Sequence, residues 1–113
     1  MNEYNLEKRT LNFSKNLIFV LTKLPKDLKN LTIIKQVLRS GTSLGANYRE
    51  ANETTTQKDL KHRIMICKKE AKETVYWLEL LREFNQDYAI EINNLFTESI
   101  ELNNIFGAIY KKL

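Results

Sequence analysis

The spacing of apolar residues divides the chain into four helical segments, each with an apolar flank. From about Leu6 to Thr22, the residues Leu6, Phe13, Leu17, Val20 and Leu24 recur at intervals that suit one helical face, and Pro25 ends the run. Leu11, Ile18, Phe19 and Leu21 widen this stripe beyond what one neighbour needs, which predicts contact with a second chain as well as with the chain's own core. A second helix begins between Asp27 and Leu31, with Asp27 and Asn30 as candidate caps, and carries Ile34, Val37, Leu38, Leu44 and Tyr48 on a common side.

The middle of that second segment is unusual, because Gly41 and Gly45 stand four apart and an interior glycine costs a helix roughly 1 kcal/mol relative to alanine. One reading is a bare turn with Ser40, Thr42 and Ser43 as its polar residues. The preferred reading is a continuous or slightly kinked helix, since a spacing of four stacks both glycines on one face and lets another backbone come close.

Polar residues from Asn52 to Gln57 form a connection, with Thr56 and Asp59 spaced as a capping box in which aspartate replaces the usual glutamate. From Asp59 to Phe84 the apolar steps alternate between four and three through Leu60, Ile64, Cys67, Ala71, Thr74, Leu78 and Leu81, a sustained heptad seam. Val75, Trp77, Leu80 and Phe84 broaden its C-terminal half. After a connection at Asn85 to Tyr88, the pattern resumes from about Ile90 as Ile92, Leu95, Ser99, Leu102, Phe106, Ile109 and Leu113. Three short connections between helices of similar length predict an all-α fold, an antiparallel up-down-up-down four-helix bundle forming one domain over residues 1–113.

Composition narrows this further. Only three glycines and one proline among 113 residues argue against a turn-rich β fold. The longest stretches without a charged residue, Ser40 to Tyr48 and Leu102 to Tyr110, are nine residues each, whereas a membrane span needs about 20. No membrane association is expected. The N-terminus lacks the basic-then-apolar order of a secretory signal and Cys67 is the lone cysteine, so a reducing cytoplasm is the expected location. The formal charge of +4 is uneven, with +5 on residues 1–52 and −1 on residues 53–113. Such a bias attracts nucleic acid or acidic protein, although charge of this size on a monomer more often only keeps it soluble.

Catalytic chemistry finds no footing. A carboxylate-bridged di-iron bundle needs two Glu-x-x-His pairs, and the chain has one histidine, with none placed to follow Glu70 or Glu73. His62 and Cys67 are five apart, which suits neither zinc ligation nor a thiol–imidazole pair, so His62 is read as a surface residue and Cys67 as a core one. No glycine-rich phosphate loop or nucleophile elbow occurs. No catalytic residue, metal or cofactor is expected, and the chain is read as a non-enzyme. The spacings Lys69 to Glu73 and Glu79 to Arg82 suit exposed intrahelical ion pairs. Tyr76 and Trp77 have the chemistry to stack on bases, but an aromatic beside a heptad seam is more often packing.

Several strings resemble a known family. Leu-Pro-Lys at 24–26, Arg-Ser-Gly-Thr-Ser-Leu-Gly-Ala-Asn-Tyr-Arg-Glu-Ala at 39–51, Lys-Lys-Glu-Ala-Lys-Glu-Thr at 68–74 and Tyr-Trp-Leu-Glu-Leu-Leu at 76–81 are similar to the bacterial four-helix bundle proteins called 23S rRNA intervening sequence proteins. The resemblance implies an antiparallel bundle assembled as a homopentamer around a central channel, with no known common catalytic activity. It extends more distantly to the accessory variability proteins of diversity-generating retroelements, which bind reverse transcriptase and nucleic acid. The implied partners are therefore further copies of the chain, RNA or DNA, and a reverse transcriptase or other protein. On this resemblance Gly41 and Gly45 serve close helix packing, Arg39, Ser43, Asn47 and Glu50 make buried or interfacial hydrogen bonds, and Glu70 and Glu73 pair with Arg39 or Arg49.

Assembly changes the weight of the charge, since five copies at +4 carry a formal +20 and phosphate-backbone binding grows with the number of phosphates neutralised. The candidate nucleic-acid-binding residues are Lys35, Arg39, Arg49, Lys58, Lys61, Arg63, Lys68 and Lys72. A protein-interaction scaffold with no nucleic-acid role is the competing function, motivated by the broad apolar face of the first helix.

Overall fold

In the computed structural model, which describes residues 5–113, the chain folds into four helices and, among those residues, no strand. Helix α1 spans Leu6–Lys23, α2 Leu28–Asn52, α3 Gln57–Glu83 and α4 Ala89–Lys111, with a 3-10 turn at Gln86–Tyr88 before α4. Each helix packs on the next and α4 closes back on α1, so α1 and α3, and α2 and α4, stand across the diagonals of an antiparallel bundle. The seam between α1 and α4 is the sparsest of the four. No described helix is long and apolar enough to cross a membrane.

Local chemistry sets the helix ends. Leu24 is extended, as a residue before proline must be, and Lys26 reaches back so that its ammonium donates to the carbonyls of Leu24 at 2.6 Å and of Leu21 and Thr22 at 3.3 Å. Asp27 caps α2, accepting from the Asn30 N–H at 3.0 Å. That hydrogen bond, with help from Lys29, holds the Asp27 carboxyl below its ordinary value. Asn30 is therefore not the cap; its side chain is buried for another purpose. Thr56 caps α3 by accepting from the Asp59 N–H at 3.1 Å, which starts the helix at Gln57, two residues earlier than the hydrophobic seam alone implies.

The heptad seam of α3 is buried from Ile64 through Cys67, Ala71, Thr74 and Leu78 to Leu81, while Leu60 lies half-buried at the open end. On α4, Ile92, Leu95, Ser99, Leu102 and Phe106 face them. Helix α1 contributes Leu6, Phe13, Leu17 and Val20, as its spacing predicts, together with Leu21, and Leu24 just past its end is buried with them. Helix α2 departs from expectation at Leu38, which is exposed, while Ile33 is buried in the core. The reason is directional: α2 touches both α1 and α3, so its core face centres on Val37, Gly41 and Leu44, and Leu38 is turned about 100° away from Val37. Phe84, expected in the core, is also exposed beyond the last turn of α3.

Helix α2 is unbroken through Gly41 and Gly45, and no residue among those described has positive φ. The glycines serve packing against α1. A Cβ on Gly41 would overlap Leu17 Cδ2, and one on Gly45 would sit 3.1 Å from Thr10 Oγ1 and 3.7 Å from the Thr10 backbone carbonyl carbon. The core also holds a small polar framework, and among the described residues every buried side-chain nitrogen and oxygen has a hydrogen-bond partner. Asn30 and Asn85 exchange amide hydrogen bonds of 2.8 and 2.9 Å, and each donates again to a backbone carbonyl, Pro25 and Leu81 respectively. This ties the α1–α2 connection to the α3–α4 junction at one end of the bundle. Midway along, Thr74 Oγ1 lies 2.8 Å from Ser40 Oγ, joining α3 to α2.

Candidate nucleic-acid interface

The eight basic candidates do not share a face. Arg39 is held across the α2–α3 seam by Glu70 at 3.2 Å and by Glu73, so its charge is spent within the protein. Arg63 donates to Asn47 Oδ1 at 3.1 Å in the same seam, and Asn47 in turn donates to the Ser43 carbonyl. Arg49 lies 3.9 Å from Glu7 on the α1 side of α2, and Lys35 is exposed on the outer surface of α2. Glu70 and Glu73 thus pair with Arg39 and not with Arg49. Neither expected intrahelical ion pair of α3 forms, because cross-helix partners win: Glu73 goes to Arg39 on α2, also accepting from the Trp77 indole N–H one turn on at 3.1 Å, and Arg82 donates to Asn93 on α4 at 2.7 Å while lying over the Phe96 ring. Trp77 is half-buried against the core, and Glu50 and His62 are exposed.

Lys61, Lys68 and Lys72 remain, and the fold gives them a setting. Steps of seven and four place them along the flank of α3 that faces α4, spanning about 16 Å of helix axis. Tyr110, from the last turns of α4, lays its ring between the first two, with Lys61 Nζ 5.3 Å and Lys68 Nζ 5.4 Å from the ring centroid. Its hydroxyl points at Met65 Sδ, 3.9 Å away. Beside the ring a shallow groove runs between α3 and α4, lined by Lys68, Asn103, Asn104, Gly107 and Lys111. No carboxylate among the described residues pairs with Lys61, Lys68, Lys72 or Lys111. Lys58 is exposed on the first turn of α3, at the same end of the bundle. Tyr110, Lys111, Asn103 and Asn104 are absent from the sequence-derived set, although Asn103, Gly107 and Tyr110 fall on one flank of α4.

A different surface lies across the bundle. Leu11 and Ile18 on α1, and Leu31 and Leu38 on α2, flank the outer edge of the α1–α2 seam and are 46, 45, 42 and 38% exposed. The loose α1–α4 seam is clamped by Arg9, which makes a bidentate pair with Glu98 at 2.6 and 2.7 Å and reaches Glu101 at 2.9 Å. Those carboxylates, Glu98 first, hold the Arg9 proton even more firmly than usual.

Burial pushes the Cys67 thiol up to about 12, so it stays protonated and inert in the folded protein. Among the described residues no group of three His, Cys, Asp or Glu side chains comes together to hold a metal ion.

The family model of the 23S rRNA-intervening sequence protein matches residues 2–108. A crystal structure of a protein with unknown function from the S23 ribosomal protein family of Bacteroides thetaiotaomicron VPI-5482 is 34% identical, covering 93% of this chain and 97% of that one with a TM-score of 0.83. No curated protein matches the sequence.

Proposed function

From the premise that the chain belongs to the 23S rRNA-intervening sequence protein family, we propose that it is a non-enzymatic, oligomeric bundle that binds nucleic acid through the α3–α4 face. The observation that carries this reading is the set of unpaired lysines around Tyr110. At this face Lys61, Lys68, Lys72 and Lys111 stand together without a carboxylate partner among the described residues, and the first two flank the Tyr110 ring. Phosphate oxygens supply what such a cluster lacks, and the gain comes largely from counterion release. Titration of structured RNA and of single-stranded DNA by mobility shift is expected to give binding at micromolar protein that weakens steeply with salt. Absence of salt-sensitive binding to both would sink the proposal.

Self-association through the α1–α2 face is the second part of the proposal. Four exposed aliphatic side chains on one edge form the apolar surface that a monomer tends to cover, and the position opposite the lysines leaves the basic face free. A closed ring of five would multiply the phosphate contacts available to one nucleic acid. Light scattering is expected to return about five times 13.3 kDa, and charge substitution at Ile18 and Leu38 together to lower that mass toward the monomer. A wild-type mass of 13.3 kDa contradicts it.

The same apolar face favours the alternative of a protein-interaction scaffold without a nucleic-acid role. Retention of one defined protein partner after nuclease treatment, together with no binding in the titration, would select that reading. A cytoplasmic location is proposed from the lone Cys67 and the residue order of the N-terminus, and partnership with a reverse transcriptase from the family resemblance, with the chain's gene neighbourhood as the direct check on the second.

A further inference from the structure

If the α3–α4 face is where nucleic acid binds, as proposed, its width and its polar groups select one form of nucleic acid. Two packed helices of about 10–12 Å diameter make a face roughly 20 Å across, whereas the B-form major groove is about 12 Å wide. The pair cannot enter that groove. A duplex laid on this surface would touch the outer lysines through its phosphates and leave the groove floor unused.

The floor has features that phosphates do not need. Gly107 carries no side chain, and a Cβ there would meet only Lys68 Cε at 4.0 Å, so there is open space beside the Tyr110 ring. At the edge of that space stand Asn103 and Asn104, whose side-chain amides make no hydrogen bond to the described residues. Each amide offers both donors and an acceptor, the combination that reads base edges, while the neighbouring ammonium groups already serve the phosphates. Bases present those edges to a shallow site only when they are unpaired and splayed from the strand.

We infer that the groove takes single-stranded nucleic acid, with phosphates along Lys61, Lys68 and Lys72 and one unstacked base over Gly107, its edge hydrogen-bonded to Asn103 or Asn104. The recognised chemistry, a phosphodiester beside an exposed base, is common to RNA and DNA. Ribo- and deoxyribo-oligonucleotides of one mixed sequence, about 15 nucleotides long, therefore form separate arms, each tested as a single strand and annealed to its complement.

Fluorescence anisotropy with the full-length protein is the measurement, on wild type and on the Asn103→Ala/Asn104→Ala double variant. The single strand is expected to bind at least about tenfold tighter than the duplex, and the double variant to lose about tenfold on the single strand while its duplex affinity and salt dependence stay unchanged. Thermal melting should show the variant as stable as wild type, since Asn104 is exposed, Asn103 is half-buried and neither is among the buried polar residues of the core. Preference for the single strand in either arm supports the inference. Equal affinity for strand and duplex in both arms, or wild-type affinity of the double variant for the single strand, overturns it and leaves the basic interface in place. No salt-sensitive binding to any form removes the interface itself, and the inference with it.

Discussion

Replacing Gly41 by leucine is expected to destabilise the protein by about 3 kcal/mol, lowering Tm by on the order of 10–20 °C. The first added carbon already overlaps Leu17 Cδ2, and Phe13 Cε2 stands 3.5 Å away, so the side chain has no open direction. Leu17 is fully buried and cannot swing aside without disturbing the core. Alanine at the same position should cost less, because its helix propensity returns about 1 kcal/mol against the overlap. Gly107 supplies the opposite sign. A Cβ there meets nothing closer than 4.0 Å, so Gly107→Ala is expected to raise stability by about 0.5–1 kcal/mol. Thermal or denaturant unfolding measures all three. Wild-type stability in Gly41→Leu would mean that α1 and α2 do not pack this closely.

The second large effect concerns binding. Neutralising Lys61, Lys68 and Lys72 together as glutamines is expected to weaken nucleic-acid binding by at least about tenfold at low salt, near 1.4 kcal/mol. The slope of log K against log salt should fall by about 2, since each lost contact to a single strand contributes roughly 0.7. The same triple change at Lys15, Lys23 and Lys35, which are exposed on α1 and α2, should leave the slope near that of wild type. Stability should change little in the second variant and by no more than about 1–2 kcal/mol in the first, because none of the six lysines takes part in a described ion pair and only Lys61 and Lys68 lie over an aromatic ring. Isothermal or anisotropy titrations over a salt series read both quantities. Equal losses from the two triples would mean diffuse attraction by net charge and no defined interface.

Much of the architecture is legible in the residue pattern, because a heptad seam and a cap are local. Ile64 to Leu81 reads as a buried stripe from its spacing alone, and Thr56 and Asp27 announce their helices through the N–H groups three residues on. Gly41 and Gly45 can be read as a helix surface made for close approach, but not as the surface that meets Thr10, Phe13 and Leu17. That assignment depends on which neighbour α2 leans toward. Leu38 illustrates the same limit, since the spacing places Ile34, Val37 and Leu38 on one side, and contact with two neighbours buries Val37 with Ile33, leaves Ile34 at the core's edge and turns Leu38 outward.

The basic site was half legible for a related reason. Lys61, Lys68 and Lys72 fall outside the seam of α3, so their exposure follows from the heptad. Arg39 and Arg63 look equivalent in sequence, and only the α2–α3 contact reveals that Glu70, Glu73 and Asn47 engage them. Tyr110 lies 42 residues beyond Lys68 and reaches it through the antiparallel return of α4, so no local pattern couples the two. Ion pairs within α3 failed to form because a partner across the seam, partly shielded from water, holds Glu73 more strongly than an exposed neighbour one turn away.

Amine-reactive footprinting of the full-length protein, with and without a saturating single-stranded RNA, tests the proposed interface most directly. Mass spectrometry of the modified lysines is expected to show Lys61, Lys68, Lys72 and Lys111 protected by the RNA, with Lys15, Lys23 and Lys35 reacting as they do in the free protein. Protection of Lys15, Lys23 and Lys35 while Lys61, Lys68 and Lys72 stay fully reactive would place nucleic acid on the opposite side of the bundle and contradict it.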